Sequence, residues 1–232
     1  MKKRKTGFIR RLFRWFSLAL VGCCLLSLLL VVPLRWLPPP ITSFIVQAWV
    51  EDGQRPDQRW VEFGQISPQM ALAVVAAEDQ RFPQHRGFDT LEIRRALEAH
   101  RDGRPLRGAS TISQQTAKNL YLWPGRQLPR KVLEAWFTLL IETTWGKQRI
   151  LEVYLNIAQF GEGVFGVEAA SQHFFGKPAM ELSAAEAALL AAVLPAPTRF
   201  SVSDPSAHTL ERQRWILRQM TQLGGPAYLR DL

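Results

Sequence analysis

The sequence predicts a mainly α-helical domain held to a membrane by one N-terminal helix. Three observations carry that prediction. From Trp15 to Leu34 run 20 residues without a charge, dominated by Leu, Val and Cys. At about 1.5 Å of rise per residue this run spans roughly 30 Å, one hydrocarbon core. From Ser67 to Leu223, apolar residues recur at helical spacing between capping residues, Gly and Pro. No stretch alternates strands with helices, and there is neither a repeat period nor a low-complexity tract.

The charge pattern sets the topology. The net charge is +9, but Lys2, Lys3, Arg4, Lys5, Arg10, Arg11, Arg14 and Arg35 hold eight of the 29 basic residues, and no acid precedes Glu51. The remainder therefore carries 21 basic against 20 acidic residues. A nucleic-acid binder needs a basic face on the domain itself, so that class is excluded as a partner. Seven basic residues before the apolar run and one after it place the N-terminus in the cytoplasm and the domain on the outer side, with Trp15, Arg35 and Trp36 as interfacial anchors. A cleaved signal peptide is the other reading. The run is long for such a segment and no small-x-small site follows it, so an uncleaved, single-pass anchor is expected. Cys23 and Cys24, the only cysteines, are adjacent inside the run and form neither a disulfide framework nor a zinc pattern.

The expected organisation is a basic tail over 1–14, a transmembrane helix over 15–37, a stalk and domain entry over 38–65, and the domain over 66–232. Pro33 and Pro38-Pro39-Pro40 make a stiff exit from the membrane. In the stalk, Trp49, Val50, Trp60, Val61 and Phe63 read as short extended segments. Ser67 and Pro68 then open an almost wholly apolar helix, Met70 to Ala77, of the kind buried on most sides. Asp89-Thr90-Leu91-Glu92 has capping-box form and opens a helix to about His100. A polar loop follows from Arg101 to Gly108, and Ser110 is the expected cap of a helix to about Leu120. Pro129 starts another, with Val132, Leu133, Trp136, Phe137, Leu140 and Ile141 at helical spacing. Lys147–Ile157 repeats the pattern. Gly161, Gly163 and Gly166 mark a tight connection into a helix, Ser183-Ala184-Ala185-Glu186 caps an Ala/Leu helix that Pro195 stops, and a last helix runs from about Ser206 to Leu223.

Four segments carry the polar chemistry. The first is Glu78 to Asp89, where an apolar helix delivers Glu78 and Asp79 into a loop with Arg81, Phe82, His85, Arg86 and Gly87. Desolvation there would tune a carboxylate toward a general base. The plain alternative is a pair of solvated charges matched to Arg81 or Arg86. In the second, Gly108 to Asn119, most side chains hydrogen-bond, and Ser110, Gln114 and Lys118 share one helix face suited to sugars and phosphates, or an ordinary solvated face. In the third, Arg126, Arg130 and Lys131 cluster with Glu134. Arg130 and Glu134 are four apart and can be a simple helix pair. In the fourth, Lys147 to Asn156, structure is expected more than chemistry, with Glu152 and Asn156 as buttresses.

In combination, EDxxFxxHxG at Glu78–Gly87, GxSTIxQQxxKN at Gly108–Asn119, RKxxE at Arg130–Glu134 and KxxILExYLN at Lys147–Asn156 occur in an order and spacing that resembles the peptidoglycan glycosyltransferase family 51. The resemblance covers about Ile66 to Leu223. Ser113 stands where the family more often has Thr, and Arg212-Gln213-Arg214-Trp215-Ile216-Leu217 matches the family's last motif only loosely, so no catalytic role is expected of that helix. With no transpeptidase domain before Leu232 and no SxxK in a suitable context, the stand-alone, monofunctional branch is expected.

The resemblance implies a lysozyme-like fold with a small membrane-proximal lobe, expected within about 96–128, where Leu120, Tyr121, Leu122 and Trp123 would touch lipid. It implies polymerisation of lipid II into β-1,4-linked glycan with inversion and release of polyprenyl diphosphate, at the bacterial inner membrane, the domain on its periplasmic face. Glu78 matches the general base. Lys118 and Arg126 match contacts to the donor's diphosphate, joined by Arg130 and Lys131. Glu134 matches a second essential carboxylate that either orients these cations or shares a divalent cation, Mg or Mn. Ser110, Thr111, Gln114, Gln115 and Asn119 would bind sugar and phosphate oxygens, while Asp79, Phe82, His85 and Gly87 would support the base loop. No metal ligand set is assigned, and protein partners in cell-wall synthesis or division are left open. Two rivals stand beside this reading. A lytic muramidase of the same fold needs a raised-pKa acid and no cation cluster. A membrane-anchored scaffold would need no catalytic residues at all.

Overall fold

The structure is a computed structural model that describes residues 3–103, 110–125 and 127–232, with side chains from Arg10 onward. Arg126 and most of the expected Arg101–Gly108 loop lie outside the described residues. The apolar run lies within α1 (Lys3–Val31), which begins inside the basic tail and closes in a 3-10 turn, Val32–Arg35, containing Pro33. It is the one helix among the described residues that is long and apolar enough to cross a membrane.

After the proline run the chain forms α2 (Ser43–Asp52), capped by Thr42, whose side chain accepts from Ile45 N. Trp49 and Val50 are therefore helical, a correction to the extended reading. The local cap outweighs their β-propensity. The short strand β1 (Asp57–Gln58) precedes α3 (Pro68–Glu78). Ser67 caps α3 and Pro68 occupies its first turn, and every side chain from Met70 to Ala76 is buried. Each of Met70, Leu72, Val74 and Val75 contributes roughly 1.5–3 kcal/mol by burial. Helix α3 is wrapped by α9 (Ala184–Val193) and α10 (Ala207–Gln222). They build part of the core of the domain, and the C-terminus of α3 opens onto polar residues.

A second group surrounds α5 (Ile112–Tyr121), which packs on α6 (Leu128–Thr144), α7 (Lys147–Ile157) and α2. The cap of α5 is Thr111 and not Ser110. Thr111 Oγ1 accepts from Gln114 N while Gln114 Oε1 accepts from Thr111 N, a capping box that Ser110 lies outside. Between the groups, α4 (Thr90–Arg101) starts at the expected cap, Asp89. The glycine-rich connection is a hairpin, β2 (Gln159–Gly161) and β3 (Val164–Phe165), with β1 added parallel to β3 in the order β1-β3-β2. Helix α8 (Val167–Phe175) follows.

The burial of α6 is the reverse of what its apolar stripe suggests. Arg130, Glu134 and Thr138 are buried with Leu140 and Ile141, whereas Leu128, Val132, Leu133, Trp136 and Leu139 are exposed. The exposed stripe continues the surface of α1, which docks on α6 and α7 through its C-terminal end. Trp136 Nε1 donates to Ser27 Oγ (3.1 Å), Trp145 Nε1 to Val31 O (3.0 Å) and Arg149 Nε to Leu34 O (3.0 Å). Of the residues expected to touch lipid near 96–128, Leu120 and Leu122 are buried instead, and Trp123 is exposed. They fill the space between α5 and its neighbours because α5 is covered on three sides.

Asn156, fully buried, does not buttress the cleft as expected. Its Oδ1 accepts from Val61 N and its Nδ2 donates to Val61 O and Glu152 O, each at 2.9 Å, so it clamps the domain entry. Gly166 turns the chain from β3 into α8 at φ +81°, and a Cβ there would lie 2.6 Å from Asn156 O. The position combines a left-handed backbone with a backbone wall. Gly166→Ala is expected to destabilise the fold by about 2–4 kcal/mol, a melting temperature lower by roughly 5–12 °C in thermal unfolding of the detergent-solubilised protein. An unchanged melting curve would contradict this packing.

Candidate active site

Glu78 ends α3 at the rim of the core. Its side chain is only 13% exposed and is held at both oxygens. Gln115 Nε2 donates to Oε2 at 2.9 Å, and Arg212, on α10, reaches Oε1 at 3.4 Å. The pairing of Glu78 or Asp79 with Arg81 or Arg86 does not occur. Arg81 pairs with Asp89 (2.9 Å) and Arg86 is exposed. Asp79, buried, accepts from His85 Nε2 (2.9 and 3.0 Å) and from Ile112 N (3.0 Å). These contacts fasten the loop after Glu78 to the start of α5.

Phe82 lies under this loop, fully buried, with Lys147 Nζ 4.3 Å from its ring centroid. Lys147 also pairs with Glu142 (2.8 Å), which accepts from Ser113 Oγ in a close contact. Gly87 has φ +86°, and its carbonyl accepts from Thr111 Oγ1 at 2.6 Å. A Cβ on Gly87 would meet Thr138 Cγ2 at 2.9 Å and Glu142 Cγ at 3.0 Å, which explains the glycine.

Two adjoining cavities form the cleft, and Ser110 lines both. One, of about 360 Å³, contains Glu78, Gln80, Arg81, Glu92, Arg95 and Trp215. The other, of about 490 Å³, contains Phe44, Gln114, Gln115, Lys118, Arg130, Lys131 and Glu134. In the second, Glu134 is buried between two cations. Arg130 Nη1 donates to Oε2 at 2.7 Å and Lys131 Nζ contacts Oε1 closely, while Lys131 also reaches Ser110 Oγ at 3.5 Å. Lys118 Nζ lies 5.2 Å from the centroid of Phe44. Burial lowers the Lys118 pKa from its ordinary 10.5, Glu134 opposes that shift, and Arg130 and Lys131 add to it.

The expected substrate face divides on inspection. Ser110, Gln114, Gln115, Lys118, Arg130 and Lys131 do gather on one cavity. Thr111 is committed to its cap and to Gly87 O. Asn119 is buried outside the lining of both cavities, its Oδ1 without a hydrogen-bond partner among the described residues. Both oxygens of Glu134 are taken by cations, and among the described residues no three His, Cys, Asp or Glu side chains gather as a metal site. That donor set does not fit a protein-held divalent cation.

Sequence reasoning missed Arg212, Phe44 and Tyr154. Arg212 sits in the segment that matched its motif only loosely, and that weak match was the available signal. Phe44 belongs to a stretch read as stalk. Tyr154, fully buried on α7, brings its hydroxyl to 3.2 Å from Gln115 Oε1.

A half-buried carboxylate thus lies at one end of the cleft and clustered cations at the other. Residues 45–221 match the family described as Transglycosylase. The chain belongs to the transglycosylase family. It is 55% identical over 224 residues to the biosynthetic peptidoglycan transglycosylase of Shigella boydii serotype 4 (strain Sb227), covering 89% of this chain and 92% of the relative. It is 53% identical over 227 residues to the protein of that name from Cronobacter sakazakii (strain ATCC BAA-894), covering 95% and 93%. The protein of that name from Escherichia coli (strain K12 / DH10B) is 55% identical over 224 residues, with 89% and 92% covered.

The lowered pKa of Lys118 has a kinetic consequence. A lysine is cationic below its pKa, so Lys118 loses its charge before an ordinary lysine as pH rises. The alkaline limb of kcat/KM, which reports the free enzyme, is expected below 10.5. In Lys118→Arg, which stays charged, that limb moves to higher pH. An alkaline limb unmoved by the substitution would remove Lys118 from the reaction.

Proposed function

We propose that the protein polymerises lipid II into β-1,4-linked glycan at the outer face of the bacterial inner membrane, with Glu78 as general base and Lys118, Arg130 and Lys131 as the cradle for the departing diphosphate. Membership of the transglycosylase family and the shared name of its relatives support peptidoglycan synthesis as the activity. The single observation that carries the residue roles is the two-part cleft, carboxylate in one cavity and cations in the other.

The chemistry follows from charge. The 4-hydroxyl of the incoming GlcNAc attacks C1 of the MurNAc that ends the growing strand, and Glu78 takes the hydroxyl proton during attack. The C1–O bond to diphosphate breaks on the opposite face, its electron pair leaving with the diphosphate, and the anomeric centre inverts. Diphosphate needs no proton donor but does need fixed positive charge where negative charge grows. Arg130 and Lys131 share one carboxylate, Glu134, so with Lys118 the cavity keeps a positive surplus. Glu134 serves here by holding Arg130 and Lys131 in place. A lytic muramidase has no use for this surplus, which favours synthesis.

The lipid part of the substrate explains the outer surface. Helix α1 spans the bilayer with its basic end in the cytoplasm, and the apolar face of α6 extends the contact with acyl chains. The lobe that meets the membrane is then built from α2, α5 and α6, and the stalk contributes α2 and Phe44 to the cleft. Lipid II and the lipid-linked strand are the partners this surface serves.

Glu78→Gln is expected to lower polymerisation of labelled lipid II by about 10²–10⁴-fold while the protein still binds the lipid. Glycan made at the wild-type rate by this variant would overturn the assignment of the base. Shortening of preformed glycan by the wild type, without polymer formation, would favour the lytic rival.

A further inference from the structure

The contacts of Gln115 are ordered in a way that the mechanism above does not use. A side-chain amide presents an acceptor at one end and a donor at the other, and its neighbours decide which end goes where. Gln115 Oε1 faces the hydroxyl of Tyr154 (3.2 Å) and Gln115 Nε2 faces Glu78 Oε2 (2.9 Å). An ionised carboxylate only accepts. The reversed amide would set its own oxygen against Glu78, which is tolerable only when Glu78 carries a proton.

We propose that Tyr154 is a positioning residue for the base: its hydroxyl donates to Gln115 Oε1 and so locks the amide with its N–H groups toward Glu78. This rests on the reading of Glu78 as the base. Tyr154 is fully buried on α7, and burial, with the nearby charges of Glu78 and Asp79, raises its pKa well above 10.0. The phenol therefore keeps its proton as a donor. The charged and titratable groups facing Glu78 are Arg212 on α10, Lys118 on α5, Tyr154 on α7 and Asp79 at the end of α3, with Arg81, Asp89 and, from α4, Glu92 and Arg95 lining the same cavity. His85 faces Asp79 instead. Arg212 fixes one oxygen of Glu78 by charge, and the Tyr154–Gln115 pair fixes the other by a neutral donor. Neutral donors hold the carboxylate's lone pairs without the full loss of basicity that a second cation would bring.

The sign of the effect follows. Removing the hydroxyl frees the amide to turn its oxygen toward Glu78, which favours the protonated carboxyl. The acid limb of kcat/KM then moves to higher pH. Tyr154→Phe is expected to lower kcat about tenfold with the KM for lipid II little changed, and to raise the acid limb. Gln115→Met, which removes both ends of the relay and carries the test if Tyr154→Phe fails to fold, is expected to raise it as well. In the double variant, Tyr154→Phe adds nothing further to the limb, because it acts only through Gln115. An unmoved acid limb in both single variants, or additive shifts in the double variant, would overturn the relay. Glu78→Gln separates the two claims. If it is inactive while both relay variants keep the wild-type limb, the base stands and only the relay falls. If it is active, both fall.

Discussion

The site depends on one buried carboxylate. Asp79 takes a ring N–H from His85 and the backbone N–H of Ile112, and so ties the end of α3 to the beginning of α5. Those two helices carry Glu78 and Gln115, which donates to it, while Arg212 reaches Glu78 from α10. A rotation of either helix would separate Glu78 from Gln115. A buried carboxylate stripped of its donors costs several kcal/mol, so the joint is kept by the energetics of the fold and not by the substrate. Gly87 belongs to the same joint, since its carbonyl receives Thr111 and its missing Cβ admits Thr138 and Glu142.

Around this joint the domain reverses a familiar arrangement. Helix α6 buries Arg130 and Glu134 and exposes Val132, Trp136 and Leu139. On the proposed mechanism the inward polar groups serve the cleft, where cations in a partly desolvated space act more strongly than in water. The apolar side turns outward beside α1, with Trp136 and Trp145 hydrogen-bonded to that helix. Anchor and cleft share a wall. On the proposed function, a substrate whose lipid lies in the bilayer and whose diphosphate sits at its surface would meet both sides of α6 at once.

Much of this was legible in the sequence because it is local. The buried character of α3 follows from an unbroken apolar run, and the caps at Asp89, Ser183 and Ser206 follow from side chains within three residues of their targets. The burial of α6 was not legible, since an apolar stripe has the same period whether it faces a core or lipid. The small sheet escaped notice because strands of two or three residues carry no period. Arg212 and Glu78 are 134 positions apart, and Tyr154 and Gln115 are 39 apart, so only the fold brings them together. The sequence places the cap at Ser110, one residue early, because Ser and Thr are equivalent by type and only backbone geometry chooses Thr111.

On the proposed mechanism, proton removal at Glu78 is matched by departure of a diphosphate onto the cations of α5 and α6. The most direct test is to count polyprenyl diphosphate released against disaccharide units joined, using doubly labelled lipid II and the purified protein in a lipid-containing assay. One diphosphate released for each unit added, with lengthening strands, is the predicted result. Glycan that shortens, or bonds that break, without diphosphate release would contradict it.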